Sequence, residues 1–367
     1  MMRLALDGTP LLGSRSGVGE VVSGIITELA GRPDLEVVAY ALTLRGRNDL
    51  AAAVPPGVHA ASRNFPARLV RQAWLRCEYP RVERWTGRID VVHATNYVGP
   101  PTKAGEVVSV YDLGFVRYPE FVAADSFDYP ELLRRAVRRG AWFHTTSDFV
   151  RDEVIETFAV PPERVVRVYP GVPAIDGGDA ARGRALAGAD RYVLALGTIE
   201  PRKNYPALVQ AFDALAADDP DLVLVVAGTR GWGGDAFDAA VAAAHHGDRV
   251  HTPGYVAAHD RRDLLAGASV LAFPSHYEGF GFPPLEAMVA GVPVVTAYAG
   301  AVPEVVGDAA LLVAPDDVDA LAGALSSALT DPGVHRVLVE RGRARHRAFS
   351  WTEAVDQLLD LYEAVRA

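Results

Sequence analysis

Residues 273–286 read FPSHYEGFGFPPLE and predict a ligand-binding loop between a strand and a helix. The apolar run 268–273 is typical of a buried strand. Pro283 suits the first turn of a helix, because the backbone N–H that it lacks would be unpaired there. Gly291 suits the C-terminal cap of that helix, and residues 292–296 predict the next strand. The loop therefore lies at the carboxyl end of a strand, where ligands bind in open α/β sheets.

This loop combines donors for phosphate with acceptors for hydroxyl groups. Gly279 and Gly281 allow the backbone to approach a ligand closely, and free N–H groups at the helix start suit phosphate. Glu278 and Glu286 carry carboxylates that accept hydrogen bonds from sugar hydroxyls. Either glutamate alone is explained as well by a solvated side chain or by the positive end of a helix. Together with the glycines they favour a nucleotide-sugar site.

Two glutamates separated by seven residues, with GFGFPPL between them, closely resemble the signature of the family-4 retaining glycosyltransferases, also called glycosyl transferases group 1. The resemblance implies a GT-B fold, in which two Rossmann-like α/β domains with parallel sheets face each other across a cleft. It implies that Glu278 lies near the transferred sugar and that Glu286 binds the ribose hydroxyls. It places the amides of Gly281 and Phe282 near the sugar or phosphate. The implied donor-binding loop also includes Gly279 and Phe280.

A second loop, 197–204, reads GTIEPRKN and predicts a diphosphate site between a strand and a helix. Arg202 and Lys203 are adjacent cations that suit a diphosphate, although a surface charge pair explains the segment equally well when it is taken alone. In the resembled family a lysine here holds the leaving diphosphate, which implies that role for Lys203. Many members carry an arginine directly after the first glycine. Thr198 occupies that place here, so we expect Arg202 to share the role.

The N-terminal half predicts another α/β unit with a glycine-rich turn after its first strand. Gly17 and Gly19 open an amphipathic helix that extends to about Ala30. The turn is a candidate phosphate site, and a simple tight turn is the alternative. It lacks the full dinucleotide fingerprint, which disfavours a nicotinamide enzyme. The resemblance places this turn near the diphosphate and the acceptor, and it implies that Gly17 and Gly19 contact the donor.

The strand predicted at 107–110 ends in Tyr111 and Asp112, where the family commonly has His-Asp with the histidine beside the sugar. A phenol can donate a hydrogen bond, but its pKa near 10 makes it a poor base at neutral pH. Asp112 is a candidate for acceptor binding, with capping of the next turn as the alternative. His93, inside the apolar strand 90–94, is interpreted as a buried core histidine.

Basic segments of the N-terminal half predict either a solvated surface or an anionic partner. Residues 44–66 are predicted to be irregular and 67–79 to form a basic helix; 134–139 form a second basic cluster. Because several related enzymes act on lipid-linked acceptors, an anionic acceptor or a membrane surface is the sharper hypothesis. In the C-terminal half, the resemblance places Tyr255 near the nucleotide base.

The length and the alternation of strands with helices predict two domains. We expect an acceptor-side domain at 1–172, a linker at 173–190 and a nucleotide-sugar-binding domain at 191–348. Related folds imply that a helix within 349–367 crosses back to the first domain.

Composition excludes several classes of protein. The net charge is −10 and arises almost entirely within residues 181–367, which argues against a nucleic-acid partner. No apolar run approaches the roughly 18 residues of a membrane helix, and no signal-peptide core is present. The single cysteine, Cys77, rules out an internal disulfide and favours a reducing compartment. We therefore expect a cytoplasmic protein, with peripheral contact at the inner face of the membrane as an alternative.

Asp316, Asp317 and Asp319 are interpreted as a helix start and not as a metal site. GT-B enzymes generally need no metal, so no metal or cofactor is expected.

The resemblance implies a retaining hexosyltransferase that moves a sugar from a nucleotide-diphosphate donor to a hydroxyl acceptor in glycan, polysaccharide or glycoconjugate biosynthesis. The GTIEPRKN segment is most similar to members that use GDP-mannose. The acceptor is expected to be a glycan, a lipid-linked molecule or a small molecule. The alternatives are a nucleotide-sugar epimerase, a phosphorylase, or a sugar-nucleotide binding protein that has lost turnover. The catalytic candidates are Glu278, Lys203, Arg202 and Asp112.

Overall fold

The computed structural model describes residues 1–13, 17–43, 47–64, 66–119, 126–172 and 177–366. The chain divides into two compact units. The first unit comprises Met1–Gly171 and Phe349–Ala367, and the second comprises Val172–Ala348. Each unit contains its own parallel β-sheet.

The first unit has a seven-stranded sheet, and helices connect its successive strands except β4 and β5. Its strands are β1 (Met2–Asp7), β2 (Leu35–Thr43), β3 (His59–Asn64), β4 (Val91–Ala94), β5 (Gly105–Val110), β6 (Trp142–Thr145) and β7 (Val165–Arg167). Its helices up to Gly171 are α1 (Gly17–Ala30), α2 (Arg47–Ala53), α3 (Ala67–Trp74), α4 (Glu83–Thr86), α5 (Gly114–Arg117), α6 (Tyr129–Arg139) and α7 (Asp148–Phe158). The strand order is β3-β2-β1-β4-β5-β6-β7, and every ladder is parallel.

The segment 44–66 contains regular structure, so the prediction that it is irregular was wrong. Helix α2 and strand β3 lie within it, and β3 pairs with β2 from His59 against Val38 onward. The sequence of β3, HAASRN, lacks the large β-branched residues that indicate a strand. Its ladder depends on long-range pairing with β2. Residues 44–46 and 65 of this segment lie outside the described residues.

Helix α3 ends earlier than the predicted 67–79 helix. Trp74 is its last residue, and the indole N–H of Trp74 donates to the carbonyl of Pro80 at 2.8 Å. The chain therefore turns back within six residues, because this buried side chain anchors the segment that follows it.

The second unit has a six-stranded parallel sheet. Its strands are β8 (Arg191–Leu196), β9 (Leu222–Ala227), β10 (Val250–Gly254), β11 (Val270–Phe273), β12 (Val294–Ala297) and β13 (Leu311–Val313). Its helices are α8 (Ala180–Ala187), α9 (Tyr205–Ala216), α10 (Gly234–Ala243), α11 (Ala258–Gly267), α12 (Phe282–Ala290), α13 (Val302–Val306), α14 (Val318–Thr330) and α15 (Pro332–Arg345). The order is β10-β9-β8-β11-β12-β13, so successive crossovers run outward in opposite directions from β8 and from β11.

The described part of the segment 173–190 is packed within the second unit. Helix α8 lies against α11, and the Arg182 guanidinium forms ion pairs with Asp260 and Asp263 of that helix. The Asp179 N–H also donates to the Asp263 carboxylate at 2.8 Å. Residues 177–190 are therefore an ordered part of this unit. Residues 173–176 lie outside the described residues.

The last helix, α16 (Trp351–Arg366), belongs to the first unit. It packs against α1 and β5, and the Trp351 ring fills the space beside Gly24 and Gly171, where a Cβ atom would lie within 2.4 Å of it. Tyr362 is fully buried against the sheet.

Tyr362 begins a buried chain of hydrogen bonds across β4, β5 and β6. The Tyr362 hydroxyl is 2.6 Å from His93 Nδ1, and His93 Nε2 is 2.7 Å from Ser109 Oγ. Ser109 Oγ is 2.8 Å from His144 Nδ1, and His144 Nε2 is 3.4 Å from the Val168 carbonyl. Since a carbonyl only accepts, His144 carries its proton on Nε2, and each preceding group then donates toward Val168 in turn. The chain is satisfied with both imidazoles neutral, and His93 is the core histidine that the sequence predicts.

We expect the stability of the first unit to fall in mild acid because of this chain. Burial lowers the pKa of His144 from 6.5 to about 4, and burial together with His144 lowers the pKa of His93. The folded state therefore binds fewer protons than the unfolded state in this window. The contribution of His144 to stability is complete above pH 6.5 and falls by roughly 3 kcal/mol as the pH approaches 4. Urea unfolding from pH 7.5 to 4.5 would measure it.

The matched control is His335→Gln, which changes an exposed histidine. His144→Gln should flatten the pH dependence between 6.5 and 4.5, whereas His335→Gln should leave it unchanged. Identical slopes in wild type and His144→Gln would contradict the assignment.

Candidate functional site

The two loops singled out in the sequence meet at one edge of the second sheet. The loop 197–204 follows β8, and the loop 274–281 follows β11. These strands are hydrogen-bonded neighbours, with Val193 opposite Val270. Because the crossovers leave β8 and β11 in opposite directions, this edge is the topological switch point of the sheet, where α/β folds bind ligands.

Glu278 is the centre of a buried ion cluster at this edge. Its side chain contacts two cations, with Lys203 Nζ 2.6 Å from Oε1 and an Arg202 guanidinium nitrogen 2.6 Å from Oε2. Lys203 also lies over the ring of Phe273, 4.8 Å from its centroid. Glu278 and Lys203 are each only 8% exposed. The alternative that Glu278 is merely solvated is therefore wrong.

Glu200 is a member of this cluster that sequence analysis missed. Its carboxylate accepts from Arg202 at 2.6 Å, and the same guanidinium donates to the Tyr277 carbonyl at 2.9 Å. Arg202 is thus held from three sides. The residues EPR in the GTIEPRKN segment place a carboxylate two positions before the arginine. This spacing is the pattern from which the pair of Glu200 and Arg202 could have been predicted.

Glu278 remains ionised at neutral pH. Burial alone would raise the pKa of Glu278, but the charges of Arg202 and Lys203 and the hydrogen bond from Lys203 outweigh it and lower the pKa to about 2. Burial lowers the pKa of Lys203, and the negative charge of Glu278 offsets part of that shift. Glu278 therefore acts only as a hydrogen-bond acceptor at neutral pH.

The loop after β12 fixes the backbone of Glu278. The Ala301 N–H donates to the Glu278 carbonyl at 2.8 Å. Gly300 has φ of 55°, and a Cβ atom there would lie 2.3 Å from the Glu278 carbonyl oxygen. Only glycine allows this close approach with a left-handed backbone.

Helix α12 begins beside the cluster as the sequence predicts. Gly281 precedes it with φ of 101°, Phe282 is its first residue, and Gly291 caps it in the left-handed conformation. The rings of Phe280 and Phe282 pack edge to face, 5.0 Å apart. At the start of this helix Gly281 and Phe282 carry backbone N–H groups within four residues of Glu278, whereas Pro283 and Pro284 carry none.

Glu286 lies inside α12 and is buried, with 5% of its surface exposed. Its carboxylate forms an ion pair with Arg261 of α11. Sequence analysis identified Glu286 and missed Arg261, because only the packing of α11 on α12 brings the two together.

Thr198 and Tyr255 lie on loops at the same edge of this sheet. The Thr198 hydroxyl is 3.3 Å from that of Thr229, in the loop after β9. Tyr255 directly follows β10, and its side chain is exposed, with 64% of its surface accessible. Neither side chain enters the ion cluster around Glu278.

The remaining candidates, Gly17, Gly19 and Asp112, belong to the first unit. Gly17 is the first residue of α1 and Gly19 is buried within its first turn, so both are helical and do not form a separate turn. Residues 14–16 lie outside the described residues. Asp112 accepts from the N–H of Gly114, the first residue of α5, at 2.9 Å. Burial raises the pKa of the neighbouring Tyr111, which is therefore a poor base.

The basic cluster of α6 is largely ion-paired within the first unit. Arg135 and Arg139 bind Glu78, and Arg138 binds Glu131 at 2.7 Å. Contact of this surface with a membrane stays a prediction. In the described part of the chain, no helix combines the length and the apolar character needed to cross a membrane.

Asp317 caps α14, accepting from the Ala320 N–H at 2.8 Å. Within the described ranges no group of three or more histidine, cysteine, aspartate or glutamate side chains is arranged to hold a metal ion.

Two units, each with a parallel sheet covered by helices, are the architecture of the GT-B class of glycosyltransferase folds. Residues 180–345 match the family model for glycosyl transferases group 1, and residues 16–171 match that for a glycosyl transferase 4-like domain. The O-antigen chain mannosyltransferase B of Escherichia coli is 32% identical over 302 residues, covering 80% of this chain and 77% of that protein. The chain belongs to the group 1 glycosyltransferase family.

Two further proteins are similar to this chain. The MMP alpha-(1->4)-mannosyltransferase of Mycolicibacterium hassiacum is 33% identical over 247 residues, which are 65% of this chain and 57% of that protein. The crystal structure of Anabaena HepE in complex with UDP and glucose matches with a TM-score of 0.74 at 18% identity, covering 99% of this chain and 100% of that chain. The match to the HepE structure supports the GT-B fold.

The position of Glu278 should depend on Gly300. In Gly300→Ala the new methyl group would collide with the Glu278 backbone, and we expect a loss of roughly 2 kcal/mol or more in the free energy of unfolding. Gly323→Ala is the matched control, because nothing lies within 4 Å of a Cβ at this position in α14. It should gain about 0.5–1 kcal/mol from helix propensity. Urea unfolding of both variants would test this, and equal stability of the two would contradict it.

Proposed function

We propose that this protein is a retaining glycosyltransferase that transfers mannose, or a closely related hexose, from a nucleotide-diphosphate donor such as GDP-mannose to a hydroxyl group of a glycan acceptor. The observation that carries the proposal is the buried contact of Glu278 with Lys203 and Arg202 at the switch point of the second sheet. The assignment of mannose rests on two of the relatives, both of which are mannosyltransferases.

The charges of the cluster explain how it could bind a diphosphate. Glu200 and Glu278 contact Arg202 and Lys203, so the formal charges of the four side chains sum to zero without a ligand. A lysine ammonium has three N–H donors and a guanidinium has five, so both cations can contact phosphate while they keep their carboxylate partners. The start of α12 adds N–H donors and a positive dipole end.

In this proposal Lys203, Arg202 and the amides of Gly281 and Phe282 stabilise charge on the leaving diphosphate. The bond from the anomeric carbon to the diphosphate oxygen breaks while a bond to the acceptor oxygen forms on the same face of the sugar. The acceptor proton passes to a departing phosphate oxygen. Preorganised donors aimed at developing charge usually contribute more to such catalysis than any other single effect. Glu278 would accept hydrogen bonds from the hydroxyls of the transferred sugar, and Glu286 from those of the ribose.

The loop 279–282 would contact the sugar and phosphates, with Thr198 near the diphosphate and Tyr255 near the base. We assign Gly17, Gly19 and Asp112 of the first unit to the donor phosphates and the acceptor, as the family resemblance implies. The two cations take the charge-neutralising part that a divalent metal plays elsewhere, so the proposed reaction needs no metal.

A diphosphate of the correct base should stabilise the protein. We expect thermal unfolding in EDTA to show a higher midpoint with one of GDP, UDP, ADP, TDP or CDP. A ligand at about 100 times its Kd adds roughly 2.7 kcal/mol, or several degrees for domains of this size. A shift with GDP would support a guanosine donor. No shift with any of the five would contradict the donor site.

Removing the charge of Glu278 should impair transfer. We expect Glu278→Gln to lower kcat/KM by about 100-fold or more, because the amide cannot replace a carboxylate that holds both cations and accepts from sugar hydroxyls. The exposed Glu340→Gln in α15 is the control and should leave activity unchanged. Transfer from GDP-mannose, followed by NMR of the product anomeric signal, would measure rate and stereochemistry together. Wild-type rates for Glu278→Gln, or an inverted product, would contradict the proposal.

A further inference from the structure

Arg261 presents an arrangement that the proposed roles do not explain. It lies on α11, three residues after that helix begins at Ala258, and one guanidinium nitrogen contacts the Glu286 carboxylate. The Arg261 side chain remains 33% exposed, whereas that of Glu286 is only 7% exposed. The pair therefore has one buried partner and one partner that reaches the surface.

A second observation concerns the Nε atom of Arg261. It is buried, and it has no hydrogen-bond partner among the described residues. A buried donor without a partner destabilises the folded protein. The guanidinium thus holds Glu286 through one nitrogen while its Nε–H lacks an acceptor among the described residues, and its solvent-exposed part can donate to a ligand oxygen.

The chemistry of the pair suits a vicinal diol. A carboxylate accepts hydrogen bonds from hydroxyl protons, and a guanidinium donates to hydroxyl oxygens. Two adjacent hydroxyl groups can each donate and accept at once, so a carboxylate and a guanidinium side by side can bind both. Arg261 also lies only six residues after Tyr255, the exposed aromatic side chain assigned to the nucleotide base.

We propose that Arg261 is a specificity-determining residue of the nucleotide site, which holds the Glu286 carboxylate and donates to an oxygen of the ribose 2′,3′-diol. This inference rests on the proposed function, since it assumes a nucleotide diphosphate at this edge of the sheet. It adds Arg261 to the nucleotide site and a preference for one class of nucleotide. The pair favours ribonucleotides over deoxyribonucleotides, because loss of one hydroxyl leaves a buried donor or acceptor unpaired.

The test compares ribose and deoxyribose ligands in matched variants. The Kd values of GDP, 2′-deoxy-GDP and 3′-deoxy-GDP, and of the corresponding uridine diphosphates, would be measured by calorimetry. We expect wild type to bind at least one ribonucleoside diphosphate about 10-fold or more tightly than one of its deoxy forms. In Arg261→Gln the ribonucleotide should bind about 10-fold more weakly and that deoxy form nearly unchanged, so the ratio approaches one.

Arg262→Gln is the control, because Arg262 is the next residue on α11 and is exposed. It should keep the wild-type ratio. Arg261→Lys keeps the charge but lacks the Nε donor and the planar fork, so it should restore less than half of the lost discrimination. Unfolding midpoints without ligand would show whether each variant is folded. If Arg261→Gln is not folded, Arg261→Lys replaces it in the comparison.

Four outcomes would overturn the inference. An equal loss of affinity for ribose and deoxyribose ligands in Arg261→Gln would indicate a structural role only. Unchanged affinity for all of them, or a wild type that does not distinguish ribose from deoxyribose, would remove Arg261 from the site while the proposed function stands. A wild type that binds neither GDP nor UDP would instead contradict the proposed donor together with the inference.

Discussion

The candidate site depends on one buried carboxylate held by two cations. Glu278 is desolvated, and an ionised carboxylate in such a place is stable only if it is paired and hydrogen-bonded. Lys203 and Arg202 supply that pairing from the neighbouring strand's loop, and Glu200 holds Arg202 in turn. Removing one member would leave another buried and unpaired. The cluster therefore ties two loops together as well as providing groups for a ligand.

The sheet explains why these loops meet. Residues 75 positions apart in sequence come into contact because β8 and β11 are neighbours, while their crossovers proceed to opposite sides. The local pattern of strand, loop and helix is visible in each segment separately. The pairing of β8 with β11 is a long-range property that neither segment carries. From the sequence, only the resemblance to a known family indicated that the two segments belong to one site.

Residue type and spacing predicted the strand and helix around Glu278, the cap at Gly291 and the buried His93. They did not predict contacts between residues that are distant in the sequence. Strand β3 is polar in sequence and exists because β2 pairs with it. Glu200 and Arg261 resemble ordinary surface charges, and only the direction of each side chain reveals its partner. Asp112 shows the opposite case, since its hydrogen bond from the Gly114 N–H joins residues only two positions apart.

The return of α16 to the first unit has a consequence for synthesis on the ribosome. Residues 1–171 emerge first, yet the cavity for Trp351 beside Gly24 and Gly171 and the hydrogen bond from Tyr362 to His93 stay unfilled until the last helix leaves the exit tunnel. All of the second unit is translated in between. The surfaces of the first unit that Trp351 and Tyr362 cover therefore stay exposed until synthesis ends. By then the second unit already has every residue that it needs to fold.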